Sequence, residues 1–144
     1  MDKNKGGRGG AVLNISSIAG IFPVCPMMVY SCNKRAVLQF STCIGRNPCK
    51  NTGVRVMSIC YGFTDTPIIG TMISFERRHD DEIQKIRDAL PMQSAQSAAR
   101  GAIEVFQKGE SATTWLVHNN EPARDITPNL VKADEEMLKL LLVK

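Results

Sequence analysis

Tyr30 and Lys34 stand four positions apart in "VYSCNKRAV", a helix-compatible run of this 144-residue sequence. On a helix, residues i and i+4 lie one turn apart on one face, so the lysine ammonium can sit beside the phenol. A cation there favours the phenolate. Tyrosine, ordinarily too weak an acid to serve, thereby becomes a general base. A half-buried tyrosine beside a surface lysine has the same spacing, so the pair alone is a weak signal. Its meaning depends on what else reaches the same place.

Two further stretches place hydroxyls where a ligand could meet them. "NISSIAG" puts Ser16 and Ser17 at the end of an apolar run, with Ser17 thirteen residues before Tyr30. A hydroxyl there can bond a substrate oxygen while a phenolate takes its proton, or it can cap the loop's own backbone. "YGFTDTPIIGTMI" supplies Gly62, Thr64 and Thr66. The glycine lets the backbone approach a ligand, and the threonines bring hydroxyls. The five cysteines (Cys25, Cys32, Cys43, Cys49 and Cys60) are odd in number and contain no CxxC. They read as reduced thiols rather than a disulfide framework or a zinc site. His79 and His118 have no partners at ligand spacing, so no metal is expected.

The elements that must position these residues follow from pattern. "AVLNI" (11–15) is a short buried strand, and "SSIAGIFPVCP" breaks it into a loop. From Met28 to Cys43, Val29, Cys32, Ala36, Val37 and Phe40 recur at helical spacing, and Gly45 and Pro48 end the helix. Val54 to Cys60 is a second strand. "DDEIQKIRDAL" opens with acids suited to a helix N-terminus and closes at Pro91. "SAQSAARGAIEVFQKG" is another helix, with Ser94 as N-cap and Gly109 as its stop. "TTWLVH" is a third strand, and "DEEMLKLLLVK" a terminal helix or docking segment.

This alternation predicts an α/β fold with a parallel sheet in which strands 11–15, 54–59 and 114–117 are neighbours. Ligands bind such sheets beyond the carboxyl ends of the strands, where both hydroxyl-bearing loops fall. With 43% hydrophobic and 22% charged residues, the chain reads as one globular domain over 1–144. Residues 1–10 are expected to be a flexible lead-in. Their "KGGRGG" is not a dinucleotide fingerprint, because no strand precedes it. No apolar run approaches the ~18 residues of a membrane span, and no hydrophobic signal region opens the chain, so the cytoplasm is expected. The +4 net charge is uneven: +7 falls on Met1–Val56 and −3 on the remainder. The bases are scattered and lack interleaved aromatics, so nucleic acid is not expected, and an anionic cofactor explains the excess equally well.

In order, "GGAVLNISSIAGIFPV", "YSCNK" and "GVRVMSICYGFTDTPI" resemble the short-chain dehydrogenase/reductase family over at least residues 9–69. Within it, the insect alcohol dehydrogenase and 15-hydroxyprostaglandin dehydrogenase branches are most similar. The resemblance implies a Rossmann-like fold and interconversion of a secondary alcohol and a ketone with a nicotinamide cofactor, NAD, with NADP open. It implies that Tyr30 is the base and that Lys34 activates it and holds the nicotinamide ribose. It assigns Ser17 to orient the substrate hydroxyl, and Gly62, Thr64 and Thr66 to the loop over the nicotinamide. It also implies a homodimer formed through the helix carrying Tyr30 and Lys34.

The chain departs from the family pattern in several places. The TGxxxGxG loop, the upstream βαβ units and the relay asparagine have no counterpart, so the sequence resembles the second, catalytic half. Tyr61 replaces the proline before Gly62. Met27 stands where prostaglandin dehydrogenases carry a glutamine, which removes a substrate-facing hydrogen bond. The rival reading is an inactive remnant retained for association.

Overall fold

The computed structural model describes residues 1–46 and 52–142. The elements, in chain order, are β1 (Gly10–Ser17), α1 (Met28–Gly45), β2 (Val54–Tyr61), β3 (Thr64–Asp65), α2 (Asp80–Ala89), β4 (Gln93–Ser94), α3 (Ala95–Lys108), β5 (Thr114–Val117), β6 (Arg124–Asp125) and α4 (Thr127–Leu142). The main sheet has the order β1-β2-β5-β6. β1 and β2 run parallel from Gly10↔Val54 to Ser17↔Tyr61, and β5 continues parallel from Ser58↔Thr114. The three expected strands are therefore neighbours in one parallel sheet. β6 closes it antiparallel, and β3 pairs with β4 in a separate two-stranded ladder. Neither short ladder was expected, because two residues are too few for a periodicity.

β2 is the central strand. "VRVMSICY" is buried on both faces from Val56 to Cys60, as a parallel strand between two neighbours must be. Met57, Ile59, Val105 and Val117 form the fully buried core, with Leu13, Ala102 and Trp115 packed against it. Ser58 and Thr114 are also fully buried, and their hydroxyls bond each other at 3.0 Å.

Within residues 1–10, expected to be a flexible lead-in, Lys3–Lys5 form a 3-10 turn capped by Asp2, and Gly10 opens β1. Lys3 N donates to Thr52 O, and Gly10 N to Gly53 O. The segment thus joins the turn that precedes β2. It lies at the opposite end of the strands from their carboxyl termini.

α1 forms where the spacing placed it and ends at Gly45; Pro48 and Cys49 lie outside the described residues. Its buried face, however, is not the apolar one. Ser31, Leu38 and Ser41 are buried, whereas Val29 and Phe40 are more than half exposed. Small hydroxyl residues let the helix come close to β1, where Asn14 Nδ2 donates to Ser41 Oγ at 2.9 Å. Ser41 Oγ in turn donates to Val37 O.

α3 is capped as its sequence indicates, with Ser94 Oγ accepting from Ser97 N and Gly109 N donating to Val105 O. A side chain from β2 adds to that C-terminus. Arg55 donates through Nη2 to Phe106 O at 2.9 Å and through Nη1 to Gly109 O. A guanidinium on the last carbonyls of a helix satisfies orphan acceptors and opposes the negative end of the helix dipole. Arg55→Met keeps the aliphatic stem and is expected to cost about 1–2 kcal/mol. Urea unfolding should show a lower midpoint at unchanged m-value.

Cys25, Cys32 and Cys43 are exposed free thiols, and Cys60 is a buried one. Burial pushes the Cys60 thiol up to about 12, so it stays protonated. Among the described residues no helix is long and apolar enough to cross a membrane, and no cluster of three His, Cys, Asp or Glu could hold a metal ion.

Candidate active site

β1 and β2 both release their chains at the carboxyl edge of the sheet, and a cavity of about 340 Å³ opens there. Ser17, Met27, Tyr30, Gly62, Thr64 and Thr66 all line it. Every candidate site residue except Lys34 therefore reaches one cavity, although the residues come from three separate stretches of chain.

Ser17 ends β1. Its Oγ accepts from Ala19 N at 3.2 Å and so caps the 3-10 turn Ile18–Gly20. The local cap and the cavity-facing position coexist, since the hydroxyl keeps its proton and a second lone pair. Tyr30 occupies the first turn of α1 and is 40% exposed. Its hydroxyl makes no hydrogen bond among the described residues. The Lys34 ammonium lies 5.5 Å from the centroid of the Tyr30 ring and donates to Ile15 O at 3.1 Å. The one-turn spacing thus yields the proximity it predicted, with two ammonium protons left for other acceptors.

Contacts that the chemistry-bearing residues did not announce set this arrangement. Ser16, almost fully buried, donates from Oγ to Lys34 O at 2.8 Å. Arg35 Nη1 donates to Gly20 O at 3.4 Å, and Ser31 Oγ accepts from Val24 N at 3.2 Å. α1 is therefore tied to the end of β1 within one turn of Tyr30. Removing one such tie by Ser16→Ala is expected to lower stability by about 0.5–1.5 kcal/mol, because Lys34 O keeps its helical donor. Denaturant melts of the two proteins would measure it. The available sequence signal was the 31–38–41 spacing, which puts Ser31, Leu38 and Ser41 on one helix face.

The second loop is held just as firmly. Gly62 N donates to Val117 O, and a Cβ on Gly62 would stand 2.7 Å from His118 Cβ. The glycine is thus required by a protein neighbour as well as suited to a ligand. Thr64 Oγ1 donates to Gly62 O and Thr66 Oγ1 to Thr64 O, both at 3.2 Å, which leaves oxygen lone pairs free to accept. Gln93, fully buried, donates from Nε2 to Thr64 Oγ1 at 3.1 Å and to Val117 O at 2.9 Å. Its Oε1 is buried with no partner among the described residues. Gln93 fixes this loop to the end of β5, and the sequence held no more of it than a polar residue ahead of the Ser94 cap.

Tyr61, the other tyrosine of the chain, also lines the cavity. Its hydroxyl donates to Ala98 O at 3.1 Å, and burial raises its pKa. It remains a protonated donor and does not compete with Tyr30 for the role of base.

Serine, tyrosine and lysine thus gather at the carboxyl edge of a parallel α/β sheet. Residues 1–77 match the profile of the family described as short chain dehydrogenase, and the chain belongs to that family. Among curated relatives, alcohol dehydrogenase 2 of Ceratitis capitata is 36% identical over 134 residues, covering 90% of this chain and 51% of that protein. The mouse (Mus musculus) 15-hydroxyprostaglandin dehydrogenase [NAD(+)] is 31% identical, over 92% of this chain and 54% of its own length. The chain thus spans about half the length of these relatives. Two solved structures share the fold. A short chain dehydrogenase from Mycobacterium paratuberculosis bound to NAD superposes with a TM-score of 0.60 at 21% identity, over 80% of this chain and 46% of that one. L-sorbose reductase from Gluconobacter frateurii, complexed with NADPH and L-sorbose, gives 0.60 at 18%, over 77% and 46%.

Proposed function

We propose that this chain forms the catalytic part of an NAD-dependent dehydrogenase that oxidises a secondary alcohol to a ketone, or runs the reverse reaction. The supporting observation is the convergence of Ser17, Tyr30 and the Thr64–Thr66 loop on one cavity, with the Lys34 ammonium against the Tyr30 ring. When bound, the nicotinamide supplies the hydride acceptor. The residues present suit that end of a cofactor. The Thr66 hydroxyl oxygen can accept from a carboxamide N–H, and the free Lys34 protons can reach a ribose hydroxyl. The glycine-rich segment 1–9 lies at the other end of the strands and takes no part in the site.

Ser17 holds the substrate oxygen through its remaining proton. Tyr30, whose hydroxyl has no hydrogen-bond partner among the described residues, removes the substrate's hydroxyl proton, and Lys34 stabilises the negative charge that develops on the phenol. NAD is favoured over NADP because the mouse relative's name specifies NAD(+), whereas the solved neighbours contain either cofactor. A reducing cytoplasm agrees with the free thiols. The decisive experiment is a spectrophotometric assay of purified protein with secondary alcohols and NAD or NADP. Absence of reduction with either cofactor, under conditions where the fold is intact, would refute the proposal.

A second reading is favoured by the surface of α1. Met28, Val29, Phe40 and Ile44 are each about half exposed or more, on the helix that carries Tyr30. We propose that two copies associate through this helix, whether or not the chain turns over substrate. Sedimentation equilibrium would test it, with a monomer at all concentrations as the refuting result. Association without cofactor binding would instead support the inactive, interacting remnant.

A further inference from the structure

The cavity at the carboxyl edge carries more information than the identity of its base. Of the residues that line it, none is an acid, a lysine, an arginine or a histidine. The wall is formed mainly by apolar side chains, among them Ile18, Met27, Phe63, Ile69, Met72 and Ile83. Its polar groups are hydroxyls, chiefly Ser17, Tyr30, Thr64 and Thr66. Neither Lys34 nor Arg35 is among the residues of the wall. The Lys34 ammonium is held by Ile15 O beneath the Tyr30 ring, and the Arg35 guanidinium by Gly20 O. Asp80 accepts from the hydroxyl and the amide of Ser74, and the Asp65 side chain is exposed outside the wall.

We propose that the substrate is an uncharged secondary alcohol with an apolar body on both sides of the carbinol carbon, and that carboxylated alcohols are rejected. The inference rests on the dehydrogenase reading and narrows it to a substrate class. The hydroxyl cluster can hold one oxygen, whereas nothing in the wall can neutralise a carboxylate, which then loses its hydration without compensation. An apolar wall with a few convergent polar groups binds through burial and uses the polar groups to orient. Met27 belongs to the same pattern, since it presents a thioether where a hydrogen-bonding side chain could have served.

The test compares binding of sec-octanol with that of the hydroxycarboxylate in which the far methyl is a carboxylate, by ligand-observed saturation-transfer NMR on the intact chain. sec-Octanol is expected to bind at least about tenfold more tightly. Met72→Lys places an ammonium in the wall, and it should narrow or invert that preference while the amide spectrum stays folded. Ile86→Lys, on α2, repeats the measurement if Met72→Lys does not fold. Equal binding of the two ligands, tighter binding of the hydroxycarboxylate, no binding of either, or a preference that neither lysine changes would each overturn the proposal. No cofactor or turnover enters the readout. A chain that binds sec-octanol selectively but reduces neither NAD nor NADP therefore refutes the dehydrogenase reading, while the cavity's rejection of the carboxylate stands. Turnover of the hydroxycarboxylate in preference to the neutral alcohol does the reverse.

Discussion

Tyr30→Phe is expected to lower kcat/KM for a secondary alcohol by about a hundred- to ten-thousand-fold, the range typical of a lost general base. The prediction applies to this polypeptide or to a longer one that contains it. The substitution deletes one oxygen, and that oxygen has no hydrogen-bond partner among the described residues. Nothing in the fold therefore depends on it, and stability should stay within about 0.5 kcal/mol of the parent. Tyr61→Phe is the matching control, because both tyrosines line the same cavity. Tyr61 spends its hydroxyl on Ala98 O, so its loss should cost about 1 kcal/mol of stability and little rate. The pair separates chemistry from packing: one variant loses rate and keeps stability, and the other does the opposite. Near-normal turnover by Tyr30→Phe would show that Tyr30 is only a packed residue. Rates and urea midpoints for both proteins decide the matter.

Much of the candidate site's geometry could be read before the fold was known, and the reason is that its residues are local in sequence. Tyr30 and Lys34 are one helical turn apart, so their proximity needed only the helix. Ser17 and the Thr64–Thr66 loop sit at the ends of strands whose apolar runs were plain, and parallel pairing brings such ends together. α3 was legible to the residue, because Ser94 and Gly109 mark its caps chemically. What could not be read depends on which surface meets which. The recurrence of Val29 and Phe40 at helical spacing identified α1, yet the helix docks through Ser31, Leu38 and Ser41. Hydrophobic periodicity identifies a helix but does not say that its apolar side must face its own sheet. The glycine-rich segment 1–10 reads as flexible on composition alone, and composition cannot show its backbone bonds to Thr52 and Gly53, more than forty residues later. Gln93 was invisible for the same reason, since its partners Thr64 and Val117 are distant in sequence and its role is to join them.

Gly20→Ala is expected to damage both the fold and the site, through a contact that no motif advertises. Gly20 does not adopt a left-handed conformation, so its backbone would accept a side chain. The obstacle is space alone. A Cβ there would stand 2.8 Å from both the carbonyl carbon and oxygen of Lys34 and 2.9 Å from Ser16 Oγ. Two of those three atoms are backbone of α1, which cannot rotate aside as a side-chain tip would. The helix or the turn Ile18–Gly20 must shift. Overpacking of this kind costs about 1–3 kcal/mol, a sizeable part of the roughly 5–15 kcal/mol that holds a domain folded. The shift also carries Tyr30 away from Ser17, and catalytic groups must be held to within about 0.5 Å of their working geometry. Turnover should therefore fall further than the loss of folded protein explains, which activity per folded molecule would reveal. Ser16→Ala combined with Gly20→Ala should be less damaging than the sum of the two, because one colliding atom is gone. The Lys34 carbonyl remains, so the rescue is partial. Parental stability and rate in Gly20→Ala would mean that α1 is not seated on Gly20, and that something other than this close approach sets the distance between Ser17 and Tyr30.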